Sequence, residues 1–257
     1  MIVKRAAVVG GVVLALAAVA GCGGDARTGN GNAASPSATS ERLESATGGT
    51  ILSAGHKEFA QAKSVKITGS EVEGGQKTTF TISAAANGDC AGSFDFGTGQ
   101  GRAELLRAAG QTLVKEDAQL LAKQGGAKAV ELGKDRWIRI KPGDDLASIT
   151  TFCELKGIPV FGDGDWYKQV FSDGTTTVNG QKAVTVVSST QKDGAFNGYV
   201  AVDGPARPVR VESSHVEGST DGTTMDFSDY DAQVTVSLPP ADQIIDLTSI
   251  KQSATGS

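Results

Sequence analysis

The sequence predicts an α+β domain: a strongly curved antiparallel β-sheet, a half-barrel, with helices covering its concave face. Three observations lead there. Beyond residue 64, apolar and polar residues alternate in many short runs, the period of half-buried strands. Polar turns such as Glu73-Gly74-Gly75, Asn87-Gly88-Asp89 and Asn179-Gly180 separate the runs, as hairpins require. Only three stretches read as helical, near residues 51–62, 116–125 and 144–155. A sheet with one apolar face is wet on one side and must cover the other. Three short helices are too few for two faces, so the sheet is expected to bend around them.

The chain opens with Lys4 and Arg5, followed by an apolar run from Ala6 to Ala20. That run is short of the ~20 residues a membrane-spanning helix needs. It has the length and flanks of a secretory signal, expected over residues 1–21. Its end, Val19-Ala20-Gly21-Cys22, resembles a bacterial lipobox. The resemblance implies cleavage before Cys22 and a diacylglycerol thioether on its sulfur. Each buried CH₂ of an acyl chain contributes about 0.8 kcal/mol, so such an anchor would hold the protein on the extracytoplasmic face of the cell membrane. Residues 22–49, rich in Gly, Ser, Thr, Asn and Ala, are expected to be a flexible tether of roughly 30 Å end to end. Residues 50–257 are expected to form a single domain, long enough for a real core.

Within that domain Ile51, Leu52, Phe59 and Ala62 share one face of a helix. Val65/Ile67, Phe80/Ile82/Ala84 and Phe94/Phe96 mark strands. Glu116–Gly126 reads as a helix stopped by Gly-Gly, and Ile138 and Ile140 share a strand face. Residues 144–155 read as a helix carrying Phe152 and Cys153. Further strands are expected at Val184/Val186, Tyr199/Ala201, Val209/Val211, Met225/Phe227 and Val234/Val236/Leu238, the last ended by Pro239-Pro240.

Cys90 and Cys153 remain after Cys22, and an even pair in an exported domain reads as a disulfide. It would pin the 144–155 helix to the strand region near Cys90. Without residues 1–21 the chain holds 22 basic and 29 acidic residues, a net charge of −7. So acidic a domain is a poor nucleic-acid ligand, and it gives no reason to lie flat on anionic headgroups.

Catalytic motifs are lacking. The sequence has no Gly-x-Ser-x-Gly, His-Glu-x-x-His, Cys-x-x-Cys or phosphate-binding glycine loop. Its two histidines, His56 and His215, read as exposed bystanders on a helix and a strand. Gly162–Trp166 and Asp226–Asp231 group carboxylates, yet neither matches a calcium loop, and turn and strand-end roles explain them. Arg136, Arg139 and Lys141 beside Trp137 read as a solvated strand face, the alternative being a rim that meets anionic headgroups. No enzyme, cofactor or metal is expected.

Several features together resemble one family. They are the lipobox, the Ser/Gly/Ala tether, an amphipathic helix running into "SVKITG", and the close "PVRVESS…MDFSDYDAQVTVSLPPADQIID". This is similar to the actinobacterial LppX/LprAFG lipoproteins, with likeness over roughly residues 50–246. The resemblance implies a half-barrel like that of periplasmic lipoprotein carriers, holding lipid or lipoglycan acyl chains and moving them across the cell envelope. The Cys90/Cys153 pair is not carried over from that family. The residues expected to line the hollow are Val65, Ile67, Phe80, Ile82, Leu105, Ile138, Ile140, Phe152 and Phe227. With 5% aromatic residues and abundant Gly and Ala, small side chains would leave room inside. The alternative is a cell-surface interaction or sensory module with a packed core and no cargo. The identity of a transporter partner is not specified by the sequence.

Overall fold

A computed structural model describes residues 42–141, 144, 147–158, 160–161, 169–190, 194–214 and 220–247, all within the unit Ser35–Ser257. The expected signal segment, Cys22, the tether up to residue 41, Gly162–Trp166 and His215 lie outside the described residues.

The element order is α1 (Gly48–Gln61), β1 (Ser64–Glu73), β2 (Gln76–Ala85), β3 (Cys90–Asp95), β4 (Arg102–Ala108), β5 (Gln111–Glu116), α2 (Ala118–Gly133) and β6 (Trp137–Arg139). Two 3₁₀ segments follow, Ala147–Cys153 and Leu155–Gly157. Then come β7 (Phe171–Val178), β8 (Gln181–Thr190), β9 (Gly194–Ala201), β10 (Pro208–Ser214), β11 (Gly222–Ser228) and β12 (Ile244–Asp246). All twelve strands join one open sheet in the order β12-β6-β5-β4-β3-β2-β1-β11-β10-β9-β8-β7. Only the β12–β6 pair is parallel, so the sheet is mixed.

Hairpin chemistry sets the registers. Gly74-Gly75, Ala109-Gly110 and Asn179-Gly180 all have positive φ at both central residues. Turns of that kind match the right-handed twist of the flanking strands and demand residues that tolerate the left-handed region. In the β1–β2 ladder Val65 faces Ala84, Ile67 faces Ile82 and Gly69 faces Phe80.

Four expectations need correction. Residues Arg42–Gly49 are not all tether: Leu43 and Ala46 pack on the core, Thr47 caps α1, and Glu44 pairs with Lys182. Gly125-Gly126 does not stop α2. It leaves helical dihedrals there, but helix resumes to Gly133. Ala147–Cys153 is 3₁₀, not α; β-branched Ile149, Thr150 and Thr151 are poor α formers, and short 3₁₀ pieces are common connectors. Val234–Leu238 joins no ladder. β1 already has β2 and β11 as neighbours, and the chain must still travel from β11 to β12 at the far edge. Its alternation survives as half-buried Val234, Val236 and Leu238 between exposed Thr235 and Ser237.

Packing uses mainly one face. α1 lies against β7–β10, α2 against β4 and β5, and the 3₁₀ segment Ala147–Cys153 against β2. Ile51, Leu52 and Phe59 of α1 enter the same apolar cluster as Val184, Val186 and Val200. The opposite face is not wholly wet: Val178, Ala183, Ala201 and Val209 form a small second cluster there with Tyr199.

Candidate functional site: the apolar inner face

Cross-strand register assembles the site. Ile138 of β6 faces Val114, Val114 faces Leu105, and Leu105 faces Gly92. Gly92 faces Ile82, Ile82 faces Ile67, and Ile67 faces Phe227. One apolar row thus crosses seven strands. A second row runs Gly69, Phe80, Phe94, Ala103, Glu116. A third holds Val65, Ala84 and Cys90.

All nine residues expected to line a hollow meet in this cluster. Val65, Ile67, Phe80, Ile82, Leu105, Ile138, Ile140 and Phe227 are buried, and Phe152 packs against them from the 3₁₀ segment. The Phe152 ring lies 5.0 Å from that of Phe80 and 6.2 Å from that of Phe94. Phe59 of α1 meets Phe227 edge-on at 5.7 Å. Cys90, first residue of β3, is disulfide-bonded to Cys153, with 5.3 Å between their Cα atoms. The bridge fixes the end of the 3₁₀ segment to the sheet, one residue from Phe152.

The glycines on this face do not leave the expected room. A Cβ at Gly69 would stand 2.5 Å from the Phe80 ring, at Gly92 2.8 Å from Ile82, and at Gly55 2.7 Å from Phe161. Larger side chains already occupy that space, as dense interiors require. Phe161, fully buried and missed in the sequence, ends the short apolar run from Ile158, too brief for a period to reveal it.

Clefts formed by described residues include the following three. One of about 990 Å³ lies where the β1–β2 turn, the loop Gly97–Arg102 and the start of α2 converge; its walls are mainly polar, including Gln76, Asp95, Gln100 and Asp117. One of about 550 Å³ lies beside Lys182, Arg207 and Tyr230 and reaches Phe227, the one expected lining residue in any of the three. A third, about 300 Å³, lies along the far ends of β10 and β11.

Glu116 is the outlier of the inner face. It ends β5 opposite Ala103, is 2% exposed, and neither carboxyl oxygen has a hydrogen-bond partner among the described residues. Burial pushes its pKa up to about 7; the nearby Gln124 amide, short of hydrogen-bond geometry, offsets this in part, and the Asp117 charge adds to it. Sequence reading placed Glu116 in a helix and so missed it. The usable signal was the alternation Leu113, Val114, Lys115, Glu116, which puts Glu116 on the same side as Val114.

The other charged motifs resolve into structural roles. Asp226 accepts from Arg210 at 2.7 Å and from Asn179 at 2.8 Å. Tyr230 donates its hydroxyl to the Pro208 carbonyl at 2.8 Å, and its ring lies 4.8 Å beneath the Arg207 guanidinium. Burial pushes the Tyr230 hydroxyl pKa up. Asp231 accepts from the Lys63 amide and pairs with Arg207; the amide bond holds its carboxyl below the usual range. Asp229 lies 3.7 Å from Lys66. Among the described residues no group of His, Cys, Asp and Glu could hold a metal ion. Arg136 and Lys141 are exposed, and Arg139 pairs with Asp246 at 3.0 Å. His56 is exposed on α1.

No protein-family model matches the chain, and no curated protein does. Solved structures do. LprF from Mycobacterium bovis is 11% identical, with 75% of this chain covering 96% of that one at a TM-score of 0.49. An uncharacterised conserved protein from Thermus thermophilus is 9% identical, covering 77% and 97%, at 0.38. A LolA superfamily protein from Nitrosomonas europaea is 8% identical, covering 75% and 96%, at 0.24.

Proposed function

We propose that this chain is an extracytoplasmic lipoprotein that binds acyl chains of a lipid or lipoglycan and carries them across the cell envelope. In this reading residues 1–21 are removed, acylated Cys22 anchors a tether, and the folded domain bends its sheet around the covering helices. The observation that carries it is the apolar row from Ile138 to Phe227 across seven strands. Among the described residues its cover over the N-terminal half includes a 3₁₀ segment contacting β2 and a helix interrupted at Gly125-Gly126. An acyl chain would lie along the row by displacing Phe152 from Phe80 and Phe94. Ligand sites are typically apolar, with a few polar groups fixing orientation. Lipids extracted from protein made in its native host are expected to give one dominant acylated species by mass spectrometry. A non-acylated form is expected to bind a fluorescent fatty acid. Protein that repeatedly emerges empty, and binds no such probe, would count decisively against the carrier.

The packed-core module is favoured by a different observation: the space at the inner glycines is filled by neighbouring side chains, and the nine expected lining residues belong to, or pack against, one buried cluster. Ala84 separates the two readings. It is fully buried and faces Cys90 across the β2–β3 ladder. Ala84→Leu is expected to cost about 1–3 kcal/mol in urea unfolding of the ligand-free protein. A carrier should in addition lose probe binding, because the new side chain occupies the path of the acyl chain; a module has none to lose.

A further inference from the structure

We infer that Glu116 is the polar anchor of the acyl-chain site, donating a hydrogen bond in its protonated form to the carbonyl oxygen of an acyl ester. The inference rests on the carrier reading and narrows its ligand. Among the described residues, Glu116 is the only acidic or basic side chain that is fully buried, and both its oxygens lack partners. A buried carboxyl left unpaired is costly, and native interiors rarely keep one without a use. Its place is specific. It closes the row Gly69, Phe80, Phe94, Ala103 at the end of β5, and its chain neighbour Asp117 lines the 990 Å³ polar cleft, which Glu116 itself does not. That cleft is walled in part by Arg102 and Asp117, which adjoin Ala103 and Glu116 in the chain. An acyl chain lying along the aromatic row with its ester at the β5 end would bring its carbonyl to Glu116.

The charges around it choose between an ester and an ionised acid. Arg102, Glu104 and Lys115 alternate to the opposite face from Ala103 and Glu116. Arg102 pairs with Asp95, and Asp117 is committed to the Leu120 and Arg102 amides. On α2, Lys123 bonds Gln100, and Lys128 and Glu131 are exposed. No described cation forms an ion pair with Glu116. A carboxylate placed against Glu116 itself would find no paired cation, since Lys77 and Arg102 wall the cleft and Glu116 does not, whereas a neutral carbonyl needs only the proton that burial keeps on Glu116.

The test uses the chain produced without acylation of Cys22, with cis-parinaric acid and its methyl ester as fluorescent probes. Wild type is expected to bind the ester about tenfold or more tightly at about pH 5.5 than at about pH 8.5, because only the protonated carboxyl donates. Glu116→Gln keeps an N–H donor and no titration. It should match wild type at the acidic pH and lose the pH dependence. Glu116→Leu should bind about tenfold more weakly at the acidic pH. A wild-type pH profile in Glu116→Gln, or undiminished ester binding by Glu116→Leu, overturns the inference while leaving the carrier standing. Failure of all three proteins to bind either probe at either pH removes the carrier reading, and this inference with it.

Discussion

Opening the Cys90–Cys153 bridge is expected to lower the unfolding free energy by about 4 kcal/mol, among the largest effects available from a single change in this chain. The bridge joins residues 63 apart in sequence. Closing so long a loop removes much of the entropy of the unfolded chain, and the logarithmic dependence on loop length gives that magnitude. The folded side of the balance points the same way. The segment Ala147–Cys153 is a seven-residue 3₁₀ helix, too short and too rich in β-branched residues to hold its shape alone. What keeps it on the sheet is the tilted packing of Phe152 against Phe80 and Phe94 and the covalent link beside it. Urea unfolding of wild type with and without reductant, and of the Cys90→Ala/Cys153→Ala double variant, measures the effect. If the carrier reading is right, the double variant should also exchange a fluorescent fatty acid faster, since the cover over Phe80 has lost its tether. A loss below about 1 kcal/mol would mean that ring packing alone seats the segment.

Where backbone chemistry was local, the sequence spoke clearly. Gly74-Gly75 and Asn179-Gly180 announced hairpins because few other residues accept positive φ at both turn positions. Ile67, Ile82 and Phe227 announced the inner face because strand period and burial agree there. What escaped depended on distant partners. β7, Phe171–Val178, has an almost wholly exposed pattern and no apolar period; it is a strand because β8 offers it an edge. Val234–Leu238 has the period without the ladder, because both edges of β1 are taken. The residues expected to line a hollow fall in or against one buried cluster, but the emptiness of a hollow is a sum over side-chain volumes. The Phe80 ring over Gly69 shows how one neighbour fills what composition alone suggested was free. Glu116 escaped for a related reason, since its burial follows from its register with Ala103 and not from its residue type.

The stability of the protein is expected to fall as pH rises from about 4.5 to about 7, and Glu116→Gln to abolish that slope. The sign follows from the proton count. The carboxyl titrates near 7 when folded and near its ordinary 4.5 when unfolded. Below about pH 4 both states are protonated and Glu116 contributes no pH dependence. Between the two values the folded chain keeps a proton the unfolded chain has released, so each pH unit costs about 1.4 kcal/mol of stability. Above about pH 7 both are ionised and the accumulated penalty, about 3 kcal/mol, stays constant. Asp95 and Asp231 act in the opposite sense, because the hydrogen bonds from Gly97 and Lys63 hold their folded carboxyls low; their contribution is lost as pH falls into the acid range. The comparison of wild type with Glu116→Gln cancels both. The buried amide of the variant adds its own cost, but one that does not vary with pH. The quantity to measure is therefore the change in the difference between the two proteins, from urea unfolding at about pH 4 and about pH 8. A difference that moves by about 3 kcal/mol in favour of the glutamine places the buried, unpaired carboxyl inside the folded domain. A difference that stays flat would show that water or a counter-charge reaches Glu116, and the polar anchor would lose its physical basis together with the slope.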